Sequence, residues 1–211
     1  MATLRMFDKL PAPNIAAILL VGSDESHQEI IANALLKEPK TFHVKIHMAT
    51  SLPISPERAH LRPCFDMVVF FINLHSKHSL SSVMSSMKYL DSHFFLGKVC
   101  FLTTKGRNGE VQHSAVDITT VKDLADQHRS ILIQSALDNE DDVAYTAQRL
   151  LNLLKICAGL MPDVSSMSVW SVMKSSVRKE SRTPWCRPLG DDIICGRLYA
   201  GDARRGRHTW G

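Results

Sequence analysis

Apolar residues occur along this chain in two patterns, short continuous runs and longer segments with helical spacing. The runs Met67–Leu74 and Val99–Thr103 are uninterrupted, which is typical of central parallel strands covered on both faces. His43–Met48 alternates apolar and polar residues, which indicates an edge or half-exposed strand. The predicted strands are the apolar run before Gly22, His43–Met48, Met67–Leu74, Val99–Thr103 and Ile131–Ser135. The predicted helices are Glu25–Lys37, Leu80–Leu90, Thr119–His128 and Asp142–Cys157.

Strands and helices alternate along most of the chain, which predicts a three-layer α/β fold with a parallel sheet and helices on both faces. Gly159 ends the last of these helices, and Pro162 blocks its continuation. Val164–Val177 carries apolar residues that favour a short amphipathic helix packed back onto the domain. We therefore assign residues 1–177 to one domain.

The positive charge of the chain lies in its C-terminal part. The formal net charge is +4, yet residues 1–177 hold 17 basic and 17 acidic residues. Residues 178–211 hold eight basic and four acidic residues and are rich in Arg, Gly and Pro. This composition predicts a basic, disordered or weakly structured tail. The neutral balance of the domain argues against direct DNA binding. No apolar run approaches the ~20 residues that span a bilayer, so no membrane association is expected.

The turn after the first strand stands where a phosphate-binding loop would lie, but it lacks that loop's chemistry. A P-loop has the pattern Gly-x-x-x-x-Gly-Lys-Ser/Thr, in which backbone N–H groups and the lysine hold the phosphates and the hydroxyl holds magnesium. Counting from Gly22, the last three positions are His27, Gln28 and Glu29. Asp24 also adds negative charge inside the turn. The pattern indicates an interaction protein rather than an enzyme.

Several segments resemble a small GTPase of the Ras type. FDMVVFFINLHSKHSLSSV is similar to its fourth strand and following helix, VCFLTTKGR to the strand ending in Asn-Lys-x-Asp, and QSAL to the Ser-Ala-Lys loop. A closer resemblance, covering residues 1–176, is to the centromere protein M family. It rests on DKLP (Asp8–Pro11), ILLVG (Ile18–Gly22), NLHSK (Asn73–Lys77), FFLGKVCFL (Phe94–Leu102), AQRL (Ala147–Leu150) and ICAG (Ile156–Gly159). The tail from Val177 does not resemble that family.

This resemblance implies a small-GTPase-like fold that does not turn over nucleotide. It implies a subunit of the inner kinetochore, in the nucleus at the centromere, that needs no cofactor. Members of the family bind centromere protein I directly and join a complex with centromere proteins H and K.

The remaining GTPase motifs agree with a loss of catalysis. The base-reading motif Asn-Lys-x-Asp aligns with Thr104-Lys105-Gly106-Arg107, where an arginine has no acceptor for the base. Ser135-Ala136-Leu137 lacks the lysine of the last motif, and no Asp-x-x-Gly precedes Met67. We expect no GTP hydrolysis and no catalytic residues. Two alternatives remain open: a nucleotide-binding switch with unorthodox motifs, and a flavodoxin- or receiver-like domain.

A partner surface is the predicted functional site. Asp91–Lys98 falls between a helix and a buried strand, yet it holds three large apolar residues in succession. The candidate partner-binding residues are Phe94, Phe95, Leu96, Met161, Met167 and Trp170. For each of them the alternative is packing within its own domain. The family resemblance implies that Leu96 and Met167 meet centromere protein I.

Two other candidate sites are weaker. His75 and His78 have the spacing of a possible metal pair, but no third ligand lies nearby in the sequence, so no metal site is expected. Cys100 lies inside an apolar run, which predicts a packed core thiol rather than a reactive one.

Overall fold

The fold is a parallel five-stranded sheet covered by helices on both faces. A computed structural model describes residues 3–4, 14–54, 64–104, 115–169 and 171–172. The strands are β1 (Ile15–Val21), β2 (His43–Ala49), β3 (Met67–Asn73), β4 (Val99–Thr104) and β5 (Ile131–Ser135). The helices are α1 (Glu25–Lys37), α2 (Lys77–Met87), α3 (Ile118–Gln127) and α4 (Glu140–Cys157), with a 3-10 turn at Ser92–Phe95. The predicted three-layer α/β fold is confirmed.

All neighbouring strands pair in parallel, in the order β2-β1-β3-β4-β5. β2 therefore lies at an edge, and its alternating exposed and half-buried residues agree with the predicted edge strand. β3 and β4 lie inside the sheet and are buried along nearly their whole length. This strand order is consistent with a small-GTPase-like fold, and flavodoxin-type domains share it.

Alternate residues of β1 enter two separate hydrophobic cores. Ile18 and Leu20 face the core beneath α1 and α4, here the α1/α4 core. Leu19 and Val21 face the core beneath α2 and α3, here the α2/α3 core. Both faces of β1 are therefore buried, which explains why its sequence is a continuous apolar run.

Helix α2 departs most from the predicted bounds. It begins at Lys77, three residues before the predicted start, and ends at Met87 rather than Leu90. The early start has a local cause, because the Ser76 side chain accepts a hydrogen bond from the Ser79 backbone N–H at 3.3 Å. The first turn, Lys77–Leu80, holds a single apolar residue and so shows no helical period.

The segment after α4 returns to the domain. Within the predicted helix Val164–Val177, residues 166–169 and 171–172 are helical. Trp170 and the tail 178–211 lie outside the described residues. None of the described helices is long and apolar enough to cross a membrane.

Candidate functional site

Ligands of doubly wound α/β domains bind outside the carboxyl ends of the strands, where neighbouring crossovers leave the sheet in opposite directions. In this sheet that point lies between β1 and β3. Gly22 follows β1 there, and a Cβ on it would lie 2.7 Å from the Cβ of Phe71. Only glycine therefore allows β3 to approach the turn this closely.

The side chain of Gln28 fills the place where a P-loop lysine would reach the phosphates. Gln28 is 1% exposed, and its Nε2 donates to the backbone oxygen of Gly22 at 2.7 Å and to that of Ala49 at 3.3 Å. The amide thus points back at the ends of β1 and β2 instead of outward to a ligand. The side chain at the position of the P-loop lysine is therefore used for hydrogen bonds within the protein.

The same turn holds a carboxylate. Asp24 accepts hydrogen bonds from the backbone N–H of Ser26 at 3.1 Å and from its Oγ at 2.7 Å, and its Oδ2 lies 2.8 Å from Nδ1 of His27. Partial burial by itself raises the pKa of Asp24, but the Ser26 hydrogen bonds and the nearby His27 outweigh it, and the pKa lies below its usual value. Asp24 is therefore ionised at neutral pH and repels a polyphosphate.

The other helix N-termini offer no better anion site. Ser76 caps α2, and the carboxylate of Asp117 caps α3 by accepting from the Thr119 N–H at 3.0 Å. The first turn of α4 carries three carboxylates, Glu140, Asp141 and Asp142. A helix N-terminus attracts phosphate through free N–H groups and a positive partial charge. Side-chain caps or negative charge offset this attraction at the N-termini of α1, α2, α3 and α4.

The two other nucleotide motifs are only partly within the described residues. Thr104 is 1% exposed and its backbone oxygen accepts from the Leu74 N–H at 3.1 Å, whereas residues 105–107 lie outside the described ranges. The hydroxyl of Ser135 accepts from Thr146 Oγ1 at 2.9 Å, which turns it toward α4. Ser135 therefore serves as a contact between β5 and α4.

The buried thiols are poor nucleophiles. Cys100 is fully buried, and this burial raises the pKa of its thiol. Burial likewise raises the pKa of Cys157 to about 12. Both stay protonated at neutral pH, as the core position predicted for Cys100 implies. His75 and His78 belong to no group of three or more metal-ligating side chains within the described ranges.

The structure separates the three apolar residues of the predicted partner surface. Phe94 is 0% exposed and belongs to the α2/α3 core, which corrects its assignment to an exposed patch. The 3-10 turn directs this ring inward under β4 while its neighbours stay near the surface. Phe95 is half-buried with its ring centroid 5.0 Å from that of His128. Leu96 remains 45% exposed.

A contact between distant segments places Met167 beside Leu96. The hydroxyl of Ser166 donates to the backbone oxygen of Leu96 at 2.8 Å. Gly97 has φ +85°, and a Cβ on it would lie 2.5 Å from the backbone oxygen of Ser166. Met167, the next residue, is 41% exposed. Leu96 and Met167 form what we call the 96/167 surface.

Two further candidates stay predictions. Met161 is half-buried, and Trp170 lies outside the described residues. Sequence reasoning missed Gly97 and Ser166, although a glycine directly after a short helical turn is a signal for a left-handed residue. It also missed what Gln28 contacts. The helical spacing of Gln28 with Ile31 and Leu35 does predict that its side chain points inward.

Comparisons with known proteins agree on one family. A family model described as "Centromere protein M (CENP-M)" matches residues 1–176. A "Centromere protein M" of Xenopus laevis is 60% identical over 180 residues, covering 85% of this chain and 99% of the relative. Its namesakes in Homo sapiens and Bos taurus are 43% and 46% identical, and each match covers 83% of this chain and 96% of the relative.

Proposed function

This chain belongs to the centromere protein M family, and we propose that it is a non-enzymatic pseudo-GTPase subunit of the constitutive centromere-associated network. In this role it binds and stabilises partner subunits in the nucleus, at the centromere and kinetochore, for kinetochore assembly and chromosome segregation. Its direct partner is centromere protein I, and centromere proteins H and K belong to the same complex.

The inward-turned amide of Gln28 is the observation that carries the non-enzymatic role. Gln28 donates to two strand-end carbonyls from a site that is 1% exposed, and Asp24 adds negative charge to the same turn. A P-loop GTPase uses a lysine at this position to reach and neutralise the phosphates. The same two residues disfavour the alternative of a nucleotide-binding switch.

The 96/167 surface supports the partner-binding role. Leu96 and Met167 come from segments 71 residues apart in the chain, yet the Ser166 hydrogen bond and the close approach at Gly97 bring their backbones together. Both side chains are large, apolar and more than 40% exposed in the single chain. Neighbouring exposed apolar side chains of this kind are typical anchors of a protein interface.

The test is a double substitution, Leu96→Glu with Met167→Glu, in the full chain co-expressed with centromere protein I. The variant should stay folded, with a free energy of unfolding within about 0.5 kcal/mol of the original, because both side chains are exposed. It should no longer co-purify with the partner, because an interface that buries two unpaired carboxylates meets a large desolvation cost.

The matched control is Met84→Glu with Tyr145→Glu, which changes side chains that are 50% and 61% exposed on α2 and α4. This control should still co-purify. A folded 96/167 variant that binds normally would place the interface elsewhere, and an unfolded one would assign Leu96 and Met167 to the core.

A further inference from the structure

Strand β2 is bonded to β1 on one side, and no other described strand pairs with its second side. The N–H of His43 donates to the oxygen of Asn14 at 3.0 Å, and the oxygen of Ala49 accepts from the N–H of Gly22 at 3.0 Å. The β1–β2 register runs between these two bonds without interruption. In a regular parallel ladder, residues that bond the neighbouring strand alternate with residues whose N–H and C=O point away from it.

The outward-pointing residues of β2 are therefore Val44, Ile46 and Met48. Their three N–H and three C=O groups make no hydrogen bond with any other residue in the described part of the chain. An edge strand that presents a row of unpaired backbone groups is a template for one more strand.

The two faces of this edge differ in chemistry. His43, Lys45 and His47 share one face, and β2 contains no acidic residue. Val44 and Ile46 lie on the other face, where they pack partly against the α1/α4 core. Burial and the nearby Lys45 lower the pKa of His47, whose ring centroid lies 5.2 Å from that of Phe65, so Lys45 carries the positive charge of the first face. An added strand would therefore meet that cation on one face and apolar neighbours on the other.

The apolar face of β2 is exposed to solvent at the C-terminal end of the strand. Met48 belongs to this face and is 53% exposed. An added strand could therefore bury apolar side chains beside it, in addition to forming backbone hydrogen bonds.

We propose that the β2 edge binds an extended segment of a partner protein, in which acidic and apolar side chains alternate, as a sixth strand of the sheet. An acidic side chain meets Lys45, and the apolar ones lie on the Met48 side. A second copy of this chain fits less well, because its β2 has no acidic residue to place opposite Lys45.

This site is separate from the 96/167 surface. β2 is the edge strand, whereas Leu96 precedes β4, and β1 and β3 lie between them in the sheet. The two surfaces can therefore hold different segments at the same time, and the loss of one site would leave the other intact.

The probe is a synthetic peptide that alternates Glu and Val over the seven-residue length of β2. On binding to the full chain, the amides of Val44, Ile46 and Met48 should exchange their hydrogens at least about tenfold more slowly. The amides of Lys45 and His47 already bond β1 and should change little. A peptide of the same composition with its glutamates grouped together should not produce this alternation.

Paired variants separate backbone pairing from charge. Met48→Pro removes one outward N–H and should weaken peptide binding at least about tenfold, whereas Met48→Ala keeps that N–H and should bind within about threefold of the original. Lys45→Glu should weaken binding by a similar factor. Lys77→Glu, the same charge change at the exposed start of α2, should not.

Three results would each overturn the proposal. One is an equal affinity for the alternating and the grouped peptide. Another is peptide binding that leaves the three outward amides unprotected. The third is protection of these amides that rises with protein concentration in the absence of peptide, since a second copy would then be the occupant.

Discussion

The buried amide of Gln28 makes Gln28→Glu a sharp test, because this change keeps the shape of the side chain and removes its donor. In the original protein Nε2 of Gln28 donates to the Gly22 oxygen at 2.7 Å from a position that is 1% exposed. In the variant a carboxylate faces that oxygen and the Ala49 oxygen without a partner. A buried charge left uncompensated costs about 3–5 kcal/mol. The free energy of unfolding at neutral pH should fall by roughly that amount.

The pH dependence separates this charge effect from a loss of packing. Burial beside two carbonyl oxygens should raise the folded-state pKa of the new carboxyl above its ordinary value of about 4.3. The destabilisation should therefore be full above the raised pKa and should shrink as the pH falls toward the unfolded value, because the protonated acid can again donate. Gln28→Ala lacks a titrating group, so its loss, about 1–3 kcal/mol for the unsatisfied oxygen, should not vary in this way.

Urea unfolding of the original and each variant at several pH values gives the comparison. Gln148→Glu, the same chemical change on the exposed face of α4, is the control and should stay within about 0.5 kcal/mol. If the Gln28→Glu variant is as stable as this control at neutral pH, then Gln28 is not a buried hydrogen-bond donor. The argument from Gln28 against nucleotide binding would then fail as well.

Two further predictions follow from the same structure. Gly97→Ala should lower the free energy of unfolding by about 1–3 kcal/mol, because alanine is strained at φ +85° and its Cβ would meet the Ser166 oxygen; an unchanged urea midpoint would contradict the close approach. Isothermal titration of the full chain with GTP should show no saturable binding with a dissociation constant below about 100 μM, an affinity of roughly −5.5 kcal/mol. Saturable heat in that range would mean that Gln28 leaves its position to admit a ligand.

The sequence predicts the sheet and α1 well because their signals are local. The continuous apolar run of β3 indicates its burial on both faces. Asp24 marks the start of α1, because its side chain accepts a hydrogen bond from the N–H of Ser26, two residues further along the chain. The start of α2 is less visible, since a serine cap precedes a segment with few apolar residues.

The site is less predictable because its contacts join distant segments. Nothing near Phe94 in the sequence tells which of three successive apolar residues turns inward, and the direction of the 3-10 turn decides it. The Gln28 amide meets the end of β2, and the Ser166 hydroxyl meets Leu96 from 70 residues away. Such pairings depend on the assembled sheet, and no local pattern encodes them.

The all-parallel sheet also constrains the order in which the chain becomes compact during synthesis. No two adjacent strands can join through a tight hairpin, and Val21 of β1 pairs with Phe70 of β3, 49 residues later in the chain. Helix α4, which covers the α1/α4 core together with α1, begins about 100 residues after the end of α1. Contacts this remote slow folding, and they leave the apolar face of β1 and α1 uncovered on a nascent chain until Cys157 emerges. Chaperone dependence should therefore concentrate in that interval of translation.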